Sequence, residues 1–153
     1  MSGEDRVIVH VARRFDLSPR RLFERWTDPR SVRAWLRTPP LDAEVLDLEL
    51  RAREGRRFSF VVRRGEWTGS YSGEYVDVVA GQRLVFTWVD PDVSKETTLV
   101  TVGFHAIPSA WTATDLRIQH ARVVPRESAR VEARWTAALD ALAAFVGGNP
   151  ASF

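Results

Sequence analysis

At 153 residues the chain suits one domain, long enough to bury roughly 70% of its unfolded surface without a disulfide or metal. It has no cysteine, which excludes disulfides, thiolate-bound zinc and thiol catalysis together. The net charge is +2, from 22 basic and 20 acidic residues. The sequence pI near 9.6 reflects a flat titration curve: Lys95 is the only lysine, and arginine hardly titrates. Arginines and acids interleave, so nucleic acid is not an expected partner.

No run of about 18 apolar residues is present, so no membrane insertion is expected. The opening "MSGEDRVIVHVARR" lacks a signal-peptide core, and a cytoplasmic location is the expectation.

In chain order, "DRVIVHVARRF" starts with alternating valines and predicts a strand. In "LSPRRLFERW", Ser18 caps a helix with Pro19 in its first turn, and Leu22, Phe23 and Trp26 share one face. Asp28 and Pro29 repeat the device for a second helix carrying Val32, Trp35 and Leu36, which "TPP" stops. Six strands follow, near 43–52, 56–63, 67–79, 83–89, 97–107 and 111–123. Short turns between them predict an antiparallel meander.

Turn lengths imply registers. A loop at Arg64-Gly65 sets Val62 opposite Trp67, one at Ala80-Gly81 sets Phe86 opposite Tyr75, and a three-residue loop after Ile107 sets Thr98 opposite His120. One face is then apolar and aromatic, with Phe58, Phe60, Val62, Trp67, Tyr71 and Tyr75. Leu84, Phe86 and Trp88 join it. Residues 126–147 predict a long helix, with Val131, Trp135, Leu139, Leu142 and Val146 at spacings of three and four; Ser128 is an alternative cap. Gly147-Gly148 end it. At about 30 Å such a helix spans a sheet of this size.

The three histidines, His10, His105 and His120, have no metal-ligand spacing, so neither a metal site nor a cofactor is expected. "GSYSG" from Gly69 to Gly73 has the look of a nucleophile elbow but lies within a strand. Its small residues read instead as places where a helix packs. His120 points inward, as a hydrogen-bonded core residue, a ligand contact or, if the protein is an enzyme, an acid/base. Asp77 pairs with Arg83 across its hairpin.

The order of elements resembles the helix-grip fold of the START-like (SRPBCC) superfamily: an α+β fold in which a curved antiparallel sheet wraps a long C-terminal helix, with two short helices after the first strand. "FDLSPRRLFERWTDP", "GEYVDVVAGQRLVFTW", "TTLVTVGF", "DLRIQH" and "RWTAALDALAAFV" narrow it to the family of the activator of the heat-shock-protein-90 ATPase. The match covers about residues 6–147 of one domain spanning 1–153. Leu36-Arg37 stand where the family has Trp-Gly, Arg134-Trp135 where it has Gly-Trp, and Ala80-Gly81 where it has Pro-Pro.

The resemblance implies a binding module for a small hydrophobic molecule or lipid between sheet and helix. The alternatives are an enzyme like the polyketide cyclase/dehydrase branch, and a chaperone-associated role. Co-chaperone members carry a separate N-terminal domain, which these 153 residues do not supply. A homodimer through sheet edges and, with less support, a chaperone are the protein partners the resemblance leaves open. The candidate cavity residues are Trp35, Phe60, Trp67 and Tyr71, with Phe86, Trp88, His120 and Trp135. They line either a filled core or a ligand cavity, and such cavities are mostly apolar with a few placed polar groups.

Overall fold

A computed structural model describes residues 5–90 and 94–147. The elements are β1 (Val7–Phe15), α1 (Pro19–Thr27), α2 (Pro29–Arg37), β2 (Glu44–Glu49), β3 (Arg57–Arg64), β4 (Trp67–Val79), β5 (Arg83–Asp90), β6 (Ser94–Ile107), β7 (Ala110–Val123) and α3 (Ser128–Gly147). The strands form one antiparallel sheet in the order β1-β7-β6-β5-β4-β3-β2. The two short helices follow the first strand, and the long helix ends the chain, as the α+β helix-grip reading expects.

Local chemistry explains the helix boundaries. Ser18 Oγ accepts from the Arg21 amide, and Asp28 Oδ1 from the Arg30 amide at 3.0 Å, each just before a proline. Ser128 behaves differently. A 3-10 turn over Pro125–Glu127 precedes α3, and the Ser128 hydroxyl donates back to the Pro125 carbonyl at 2.8 Å. It therefore closes that turn rather than capping α3. Gly148 lies outside the described residues.

The face assignments hold, while two registers differ from the sequence expectation by two residues. Arg64, not Val62, faces Trp67. The loop is Gly65-Glu66, because Gly65 takes φ +59° and a two-residue hairpin needs the positive angle at its first loop position. Val100, not Thr98, faces His120. Ile107 pairs with Ala110 but Ala106 with Thr114, so Trp111, Thr112 and Ala113 are extra residues on β7. Trp111 is thereby left 79% exposed. Tyr75 does face Phe86, by a longer route: Val79 pairs with Arg83, and a bulge between Tyr75 and Asp77 restores the expected pairing.

Helix α3 comes closest to the sheet at β1 and also packs on α2. Val131, Trp135, Leu139, Ala141 and Leu142 face inward. Val146 is partly buried at the rim of this core. Arg13 of β1 forms an ion pair with Asp140 of α3, which fixes the helix along its strand. The bulky side chains of β3, β4 and β5 point to the same interior, and there the candidate site lies.

Candidate functional site

Three indoles gather where the helices meet. The Trp26 ring on α1 lies 5.4 Å from Trp35 on α2 and 6.2 Å from Trp135 on α3. Trp35 Nε1 donates to the Arg25 carbonyl at 3.0 Å, tying α2 to the end of α1. Buried aromatics with a satisfied N–H both fill space and set orientation.

The opposite wall belongs to the sheet. Phe60 stacks on Tyr71 at 5.0 Å, directly across the β3–β4 ladder, and Tyr71 stacks on Trp88 at 5.3 Å. Phe58 meets Phe86 edge-on at 5.5 Å. The glycines of "GSYSG" make room for these rings. A Cβ on Gly73 would lie 1.9 Å from the Thr87 carbonyl oxygen and 2.5 Å from Phe58, and one on Gly69 would strike the Trp67 ring. Rings and backbone of the same sheet, not a helix as the sequence suggested, occupy that space.

His120 sits on β7, 4% exposed. Trp135 Nε1 donates to its Nδ1 at 2.9 Å. An indole can only donate, so Nδ1 is the bare nitrogen and Nε2 carries the proton. That proton goes to Thr98 Oγ1 at 2.6 Å, and the Thr98 hydroxyl donates to the Trp88 carbonyl at 3.0 Å. The chain of bonds runs in one direction and satisfies every member. Burial pushes the His120 pKa down to about 4, so the ring is neutral near pH 7. Protonation at Nδ1 would also set two donors face to face.

A second polar group lies in the cavity wall, joining α3 to β5. Arg134 donates to Asp90 Oδ2 at 3.0 Å and to the Tyr71 hydroxyl at 3.3 Å. The Arg134 and Asp90 side chains are 27% and 11% exposed. Burial raises the Tyr71 pKa, the Asp90 charge adds to the rise, and Arg134 opposes it.

Between these walls lies a cavity of about 240 Å³. Trp35, Phe60, Tyr71 and Phe86 line it, as do Trp88, His120 and Trp135. Trp67 lies outside the lining, because its ring folds back over Gly69 on its own strand and meets the Arg64 guanidinium at 5.7 Å. The lining also includes Tyr75 and Phe58, which strand parity placed on this face, and Arg134 and Asp90, which no sequence signal connected. The expected Asp77–Arg83 pair forms at 2.7 Å, away from the cavity. His10 and His105 are exposed.

The family model for "Activator of Hsp90 ATPase homolog 1-like protein" matches residues 16–147. The chain belongs to this family. No curated protein matches the sequence. Solved structures show the same fold. The MLL2253 protein of Mesorhizobium loti is 21% identical, with TM-score 0.74 over 94% of this chain and 98% of its own. CalU16 of Micromonospora echinospora is 20% identical, with TM-score 0.66 over 95% and 87%. DynU16, a protein from the dynemicin biosynthetic locus, is 22% identical, with TM-score 0.71 over 94% of this chain and 48% of its own. No helix among the described residues is long and apolar enough to cross a membrane.

Proposed function

We propose that this family member binds a small, largely apolar molecule in the cavity between the sheet and α3. The observation that carries the reading is the cavity itself, about 240 Å³, partly open and walled mostly by indole, phenyl and aliphatic side chains. An apolar cavity of about 150 Å³ already holds benzene. A bicyclic aromatic is therefore the size expected here.

A proton-transfer role for His120, on the cyclase/dehydrase pattern, is the weaker reading. Both ring nitrogens are committed to internal hydrogen bonds, and a base with a pKa near 4 is poorly matched to chemistry at neutral pH. The chaperone-associated reading draws on the family description alone.

Thermal unfolding tests the binding reading. Tetralin at saturation should raise Tm, by mass action on the folded state. Ala138→Phe, which puts a ring into the cavity from α3, should abolish the shift. A shift that survives Ala138→Phe, or no shift in the unaltered protein, would sink the reading.

A further inference from the structure

The cavity's polar groups differ in what they have left to offer. His120, Thr98, Trp35 and Trp135 are committed to internal partners. The Tyr71 hydroxyl accepts from Arg134. Trp26 Nε1 has no polar partner but also no accessible surface, and its ring packs among Trp35, Phe104 and Trp135. An N–H against aromatic faces is a weak but recurrent contact.

Tyr75 is different. It lines the cavity and is 4% exposed, and among the described residues no hydrogen-bond partner meets its hydroxyl. Burial alone raises its pKa. The hydroxyl is not among the fully inaccessible polar atoms, so what pairs it must come from outside the protein, either water or a ligand in the cavity that Tyr75 lines.

The ring is also held firmly. Phe58 and Phe86 pack on it at 5.3 and 5.9 Å. Its backbone amide donates to the Arg56 carbonyl at 2.9 Å, and its carbonyl accepts from Gly55 at 2.8 Å. A rigid ring with an uncommitted hydroxyl is what orienting a ligand requires.

Resting on the cavity reading above, we propose that the Tyr75 hydroxyl donates a hydrogen bond to the bound molecule, which is a compact, uncharged aromatic bearing a carbonyl-type oxygen. An acceptor on the ligand pairs the hydroxyl proton, whereas a ligand donor would leave that proton unpaired, the costlier outcome. A charged ligand group at Tyr75 would lie among Phe58, Phe86 and Leu84, where no charged side chain among the described residues acts on the Tyr75 hydroxyl.

Calorimetric titration with 1-tetralone and tetralin tests this. Tyr75→Phe should weaken 1-tetralone binding by roughly three- to tenfold and leave tetralin binding unchanged. The unliganded variant should keep or raise its Tm, because the lost hydroxyl made no internal bond. A fall in Tm, an equal loss for both compounds, or an unchanged 1-tetralone affinity overturns the role of Tyr75 while the cavity reading stands. If neither compound binds the unaltered protein, the cavity reading falls and this one with it.

Discussion

Trp135 of α3 donates its indole proton to Nδ1 of His120 on β7, across 2.9 Å. This one bond sets the tautomer of the histidine and the direction of the Thr98 bond beyond it. It also leaves His120 without a free nitrogen.

The pH dependence of stability follows. The unfolded imidazole takes a proton below its ordinary pKa of 6.5, the folded one only below about 4. The contribution of the neutral ring is thus fully present above pH 6.5 and is lost as pH falls toward 4. It amounts to about 3 kcal/mol over that window. Urea titrations from pH 7 to 5 should show stability falling, and His120→Gln should flatten the slope. An unchanged slope in the variant would contradict the buried neutral ring.

Gly73→Ala should be far more costly than an ordinary strand substitution. The new methyl would overlap the Thr87 carbonyl, which belongs to the neighbouring strand and cannot turn aside. A loss of about 3 kcal/mol or more is expected, at or above the upper end for overpacking. Gly69→Ala meets only the far edge of the Trp67 side chain and should cost less. Equal losses in chemical denaturation would refute the distinction.

Leu139 is 1% exposed, in the seam between α3 and the rest of the core. Leu139→Ala should remove about 2–5 kcal/mol. A Tm drop of roughly 10 °C would then be expected for a domain of this size. A drop of only a degree or two would mean that α3 is not packed as described.

Arg134 stands where the family resemblance expects glycine, and here it bridges Asp90 and Tyr71 at the cavity wall. Arg134→Gly should lower stability by roughly 1–3 kcal/mol, partly by removing its bonds to Asp90 and Tyr71 and partly through glycine's helix penalty. Arg134→Met keeps the helix propensity and isolates the ionic part. Restoring glycine should also speed ligand exchange, measurable as faster tetralin dissociation by NMR. Unchanged exchange in both variants would remove Arg134 from the cavity wall.

Much of this architecture was legible in residue order. Ser18-Pro19 and Asp28-Pro29 announce two helix starts by local hydrogen bonding alone. Face assignment survived both register errors because side chains alternate with period two, so a slip of two residues leaves the same face inward. The slips have identifiable causes: the backbone angle of Gly65, and three extra residues on β7 beside Ala106.

The candidate site was half legible. Parity alone sends His120, Tyr71, Tyr75 and Trp88 inward. Trp67 shares their parity yet misses the cavity, since only its rotamer over Gly69 decides where the ring goes. Pairings between elements depend on how α3 is rotated and how far it stands from β3, β4 and β5. No periodicity encodes those quantities. They decide that Trp135 meets His120, that Arg134 meets Asp90 at a sequence separation of 44, and that the Tyr75 hydroxyl meets no polar partner among the described residues. The sequence by itself determined the elements, their order and their inward faces, because these follow from bonds and periodicities within a few residues. Tertiary packing alone decided which inward polar groups are satisfied and which remain free to meet a ligand.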